Sequence, residues 1–188
     1  MSGHNKWSQI KRKKDKADGA KSKLFGKLAR LITAEARKAG GNPNYPSLRS
    51  AIEKAREGNM PNDNIERAIK KAATDKGAAM EEITYEAYGP GGCALIIEAL
   101  TDNRNKAAQE VKFILGKHGF ALAGQGSAAW AFSHHPAADG TPPQAGGGKN
   151  WTAETTLELS DEDLTLLEKL VDDLENCEEV QETFTNAE

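Results

Sequence analysis

The sequence predicts an α+β protein in two parts: an N-terminal three-helix bundle, followed by a ferredoxin-like α+β domain with a mostly antiparallel sheet. Three observations carry this expectation. Through residue 74 the apolar residues recur at i, i+3, i+4 and i+7, whereas beyond residue 80 they alternate or run continuously between further helical stretches. Charge divides at nearly the same place. Residues 1–76 hold 19 Lys or Arg and 8 Asp or Glu, a net +11; residues 77–188 hold 6 and 20, a net −14, within a chain whose total is −3. Finally, strand–helix–strand occurs twice in the second part, at 93–133 and 155–185, which suits helices packed on one face of a sheet. The domains are accordingly drawn at 1–78, basic, and 79–188, acidic, with a Pro/Gly loop at 136–150.

Residues 2–21 are polar and basic, with Trp7 and Ile10 as apolar exceptions, and such an arm orders only in part without a partner. Trp7 has two readings: packing beside Ile10 on the first helix, or stacking on a base. From Ser22 the pattern is helical. Leu24, Phe25, Leu28, Leu31 and Ile32 cover one arc, and Lys23, Lys27, Arg30 and Arg37 cluster roughly 135° away. Glu35 falls within the apolar arc, which predicts that the helix leaves the core there. Gly40-Gly41 and Pro43 end it. The second helix places Leu48, Ala51, Ile52 and Ala55 between Ser47, the expected N-cap, and Gly58, the expected stop. The third repeats that spacing with Ile65, Ala68, Ile69 and Ala72 after Pro61. None of the three buries its stripe alone, so they bundle.

Residues 74–81 read as a linker. Ile83, Tyr85 and Ala87 alternate as a strand, YGPGG at 88–92 turns the chain, and CALIIEAL at 93–100 is a buried strand. Thr101 or Asp102 is the expected cap of a helix with Ala107, Val111, Ile114 and Leu115 inward, ending near Gly119. Strands are expected at Ser127–Ser133 and Thr155–Leu159. Ser160 and Asp163 give a capping signature for a helix with Leu164, Leu167, Leu170, Val171 and Leu174 inward. Residues 179–185 close the chain with Val180 and Phe184.

Between Lys6 and Arg30 lie ten Lys or Arg against Asp15 and Asp18, a net +8 in 25 residues. So dense a charge repels itself and gathers counterions, which points to a polyanion; the bland readings are a solvated helix face or a solubilising tail. The candidate nucleic-acid-binding residues are Lys6, Trp7, Lys11, Arg12, Lys13, Lys14, Lys16, Lys21, Lys23, Lys27, Arg30 and Arg37. Asn103, Arg104 and Asn105, at the start of a helix, are candidates for holding a phosphate or a partner's carboxylate, against simple capping.

Elsewhere the sequence argues against chemistry. GGGK at 146–149 fails as a phosphate loop, because Pro143 and Asn150 occupy its first Gly and its Ser/Thr positions. His134 and His135 are adjacent on a strand and so point to opposite faces. His118 favours a helix C-terminus. Cys93 and Cys177 stand far apart with no CxxC, as buried thiols do in a reducing compartment. No nucleophile–base arrangement appears. The expectations are no enzyme, no cofactor, no metal, no small-molecule substrate, and a cytoplasmic protein without a membrane span. A rival class is a protein-interaction module whose acidic second domain binds a basic partner.

The chain also resembles the YebC/PmpR family. The resemblance lies in GHNKWSQIKRKK (3–14), KLFGKLARLI (23–32), NMPNDNIERAIKK (59–71), YEAYGPGGCALIIEALTDNRN (85–105) and LVDDLENCEEVQETFTN (170–186). It implies a non-enzymatic regulator of gene expression. The family is commonly described as DNA-binding transcriptional regulators. Relatives that include a mitochondrial translational activator of cytochrome c oxidase are tied instead to the ribosome and to translation through proline-rich stretches. The partner thus implied is ribosomal RNA or DNA. Family members usually carry an inserted third domain after the position of Phe132-Ser133. Here only the Pro/Gly loop fills that place, so the chain resembles a short form.

Overall fold

The structure is a computed structural model that describes residues 18–40, 42, 44–74, 77, 79–135 and 150–188. The chain forms an α+β fold divided into two compact units, one helical and one built around a sheet.

The helical unit comprises α1 (Asp18–Lys38), α2 (Pro46–Glu57) and α3 (Asn62–Thr74). Leu28, Ile32 and Ala36 of α1 meet Leu48, Ala51 and Ala55 of α2 and Ile65 and Ala68 of α3, with Met60 closing the core. Small alanines at the contact positions let the helices approach closely. Two expectations are corrected. Ser47 is not the N-cap of α2. Pro46 occupies the first helical position, where its fixed φ and missing N–H cost nothing, so the cap falls on Tyr45, which makes no side-chain cap bond. Ser47 is thereby released to donate its hydroxyl to Glu35. Nor does α1 leave the core at Glu35. Its carboxylate is 0% exposed and is held by Ser47 and by the Lys38 ammonium at 2.8 Å, since a buried charge must be paired. At the end of α2, Gly58 keeps φ −73°, and Asn59 takes the left-handed conformation at φ 59°. Met60 N–H then bonds the Ala55 carbonyl, a Schellman-type closure.

The second unit holds β1 (Glu81–Tyr88), a 3-10 turn at Pro90–Gly92, β2 (Ala94–Thr101), α4 (Arg104–Lys117), a 3-10 turn at Ala129–Ala131, β3 (Phe132–His135), β4 (Asn150–Ala153), α5 (Asp161–Asn176) and β5 (Val180–Thr185). The main sheet has the order β1-β2-β5, and β3-β4 form a second pair. β2 runs antiparallel to β5, with Ile96 opposite Phe184 and Glu98 opposite Glu182, and the register shifts between Glu98 and Ala99. Leu95 and Ile97 pack under α4 and α5 with Val111, Leu115, Leu167, Leu170, Val171 and Leu174. Ala94 and Ile96 point the other way, onto Ala128, Ala131 and Phe132. Covered on both faces, β2 reads as a continuous apolar run.

Three further expectations are corrected here. The strand expected at Ser127–Ser133 is a 3-10 turn until Phe132, where β3 begins. Thr155–Leu159 is not a strand; β4 lies at Asn150–Ala153, and the later segment is held by Leu157 bridging Ala187 and by Asn186 Nδ2 donating to the Thr155 carbonyl. The cap of α4 is Asn103, because the Thr101 hydroxyl bonds the Asn103 backbone in a turn of its own. Ser160 caps α5 as expected, accepting from Asp163 N–H. Of the loop expected at 136–150, residues 136–149 lie outside the described residues, and Asn150 opens β4 instead.

The YGPGG turn requires its glycines unequally. Gly91 has φ 63° and a Cβ there would stand 2.5 Å from Leu159 Cδ2; Gly92 has φ 79° and open space around it. Gly91→Ala is therefore expected to cost about 3 kcal/mol in urea unfolding, and Gly92→Ala about 1 kcal/mol from backbone strain alone.

Candidate nucleic-acid interface

Lys23, Lys27 and Arg30 stand at i, i+4 and i+7 on α1 and so line one side of the helix, while Leu28 and Ile32 are buried on the other. The first turns extend past the bundle core: Lys21, Ser22 and Lys23 are exposed, and Leu24, expected in the apolar arc, is 41% exposed. This end of α1 therefore offers cations at several azimuths. Arg37 belongs to the same stripe by spacing but has a local task, donating through Nη1 to the Gly77 carbonyl at 3.2 Å. Lys6, Trp7, Lys11, Arg12, Lys13, Lys14 and Lys16 lie outside the described residues. α2 and α3 mix signs more evenly than α1: Arg49, Lys54, Arg56, Arg67, Lys70 and Lys71 are interspersed with Glu53, Glu57, Asp63 and Glu66.

At the start of α4, the Asn103 side chain is engaged as the cap, accepting from Lys106 N–H at 3.1 Å. Arg104 and Asn105 are exposed beside it. Burial raises the Tyr85 phenol above its ordinary pKa, and the nearby positive charge of Arg104 partly offsets that rise. Lys106 turns instead to Glu179, at 2.9 Å. At the other end of α4, His118 and Lys117 both bond Asp173 of α5, at 2.9 and 2.8 Å, and those bonds hold the Asp173 carboxyl below its ordinary pKa. His118 is thus part of a clip between two helices. Cys93 is buried; Cys177 is only half-buried and donates its thiol to Glu110. Among the described residues no group of three His, Cys, Asp or Glu is placed to hold a metal ion, and no helix is long and apolar enough to cross a membrane.

Two features went unread in the sequence. Glu86 of β1 is 6% exposed and its carboxylate accepts three backbone N–H groups, from Gly126 at 2.6 Å, Ala128 at 2.7 Å and Ala129 at 2.9 Å. Two residues on, Tyr88 donates its hydroxyl to the Ser127 carbonyl and accepts from Trp130 Nε1 at 3.2 Å. Both rings stay in solvent, Tyr88 at 38% and Trp130 at 61% exposure. The usable signal was the spacing of Ala128 and Ala131: a three-residue turn puts them on one side and Trp130 on the other.

Two family descriptions match the chain: TACO1/YebC protein N-terminal domain over residues 5–75, and TACO1/YebC second and third domain over residues 80–140. Among relatives, a probable transcriptional regulatory protein of Fervidobacterium nodosum is 56% identical over 134 residues, covering 70% of this chain and 53% of that protein. One of the same description from Rubrobacter xylanophilus is 46% identical over 169 residues, covering 88% of this chain and 67% of that protein. The chain spans about half the length of most of the curated relatives it matches. The crystal structure of a conserved hypothetical protein, Aq1575, from Aquifex aeolicus superimposes with a TM-score of 0.74 at 31% identity, covering 91% of each chain.

Proposed function

The chain belongs to the TACO1/YebC family, and from that premise we propose that it is a non-enzymatic regulator of gene expression that binds nucleic acid through its basic region, residues 6–37. In this reading the basic domain, 1–78, makes the grip and the acidic domain, 79–188, aligns it. The observation that carries the reading is the run of cations along one side of α1, Lys23, Lys27 and Arg30, which follows the Lys-rich stretch at 11–16 in the sequence. Contacts of this kind go to phosphates and carry little sequence preference.

Ribosomal RNA is the favoured polyanion. Neither α2 nor α3 presents a uniformly basic face for a major groove, whereas a charged arm suits the folded, partly single-stranded surface of RNA. On the ribosome the chain would assist synthesis through proline-rich stretches, the role that the resemblance implies. Duplex DNA is the second reading, favoured by the relatives described as probable transcriptional regulatory proteins. Sedimentation with ribosomes, run beside promoter-fragment binding, decides between them. Co-sedimentation that is lost at high salt is the expected result. Binding to DNA alone would transfer the assignment to transcription, and binding to neither would overturn it.

A further inference from the structure

A folded surface seldom leaves two large aromatic rings side by side in water, and tryptophan and tyrosine are over-represented where proteins grip one another. Trp130 and Tyr88 make such a pair, and it is built rather than incidental. The indole N–H is bonded to the phenol oxygen, the phenol hydroxyl to the Ser127 carbonyl, and the backbone that carries Trp130 is clamped by the three bonds to Glu86. Rings fixed in advance lose little freedom on binding.

The charge of the unit selects the occupant. Its described residues, 82–134 and 151–188, contain 18 Asp or Glu and 5 Lys or Arg. A polyanion is repelled by that field, and a cation is drawn to it. Glu98 and Glu182 face each other across β2 and β5, on the sheet face that the Trp130 turn covers through Ala128 and Ala131, and so add negative potential on that side. A cation above an indole is attracted by the ring quadrupole, and the planar guanidinium stacks there better than an ammonium does. We propose that Tyr88 and Trp130 anchor an arginine-bearing, cationic segment of a partner protein, separate from the nucleic-acid grip of α1.

The test is fluorescence anisotropy on the full chain with three labelled probes of equal length: an Arg-Gly repeat peptide, its Lys-Gly counterpart and a single-stranded RNA. The Arg-Gly peptide should bind, and the Lys-Gly peptide several-fold more weakly. Trp130→Ala should weaken the Arg-Gly peptide about 5-fold or more, with net charge, melting temperature and RNA affinity unchanged. Trp130→Phe, which keeps a smaller ring, should retain part of the affinity. Failure of the parent to bind the Arg-Gly peptide overturns the proposal, as does equal binding by parent and Trp130→Ala. A Trp130→Ala variant that loses RNA instead of peptide also overturns it, and reassigns the pair to base stacking. Because the nucleic-acid reading rests on the basic region 6–37, its failure would appear as no RNA binding by the parent, independently of the peptide.

Discussion

Changing Lys11, Arg12, Lys13 and Lys14 together to alanine is expected to remove most of the affinity of the chain for RNA, with no loss of folded structure in the two compact units. With ~6 phosphates of a duplex engaged by the parent, log K should fall with log[salt] at a slope near −5, by roughly 0.9 per phosphate. Removing four of those contacts flattens the slope to about −2. Between about 50 and 200 mM salt the parent then loses about a thousandfold in affinity and the variant only about tenfold. The measurement is a salt titration of both proteins against one double-stranded ribosomal RNA fragment. A Lys23→Ala, Lys27→Ala, Arg30→Ala variant tests the α1 stripe in the same assay and should flatten the slope by up to about 3. Slopes that coincide in all three proteins would show that binding does not run through these cations.

Periodicity alone places α1, α2 and α3, because each must turn one apolar stripe toward the other two, and the stripe residues apart from Leu24 lie in the core or pack against it. The same holds for β2, whose two covered faces leave no polar alternation, and for α5, whose cap is local to Ser160 and Asp163. What escaped depends on partners far along the chain. Glu35 looked like the point where α1 leaves the core, yet it is matched by Ser47, twelve residues away; Glu86 went unread, because its carboxylate serves a turn some forty residues on. The exposure of Trp130 went unread because it depends on a three-residue turn where a strand was expected. The cationic stripe of Lys23, Lys27 and Arg30 was legible, since charge and spacing lie on one helix. The loss of Arg37 to the Gly77 carbonyl was not, because no local pattern announces an acceptor 40 positions distant.

Glu86→Ala should cost about 3 kcal/mol, because it leaves the Gly126, Ala128 and Ala129 N–H groups without their acceptor in a turn that is buried at Ala128 and partly buried at Ala129. Burial pushes the Glu86 carboxyl upward, but the three N–H bonds outweigh it and leave the pKa below the ordinary 4.5. A carboxylate with a depressed native pKa stabilises the fold fully above its unfolded value, and that contribution drains away as pH falls through the native one. Glu86→Gln keeps an acceptor oxygen and cannot titrate, so it should cost about 1 kcal/mol near neutrality. Its disadvantage against the parent should then narrow from about pH 5 downward. Urea unfolding of the full chain, followed through its tryptophan fluorescence, measures both. If the clamp also sets the aromatic pair, Glu86→Ala should weaken the Arg-Gly peptide even under conditions where the sheet remains folded, because the turn carrying Trp130 would no longer be fixed. A gap between parent and Glu86→Gln that stays constant with pH would mean that the carboxylate charge contributes nothing to holding that turn.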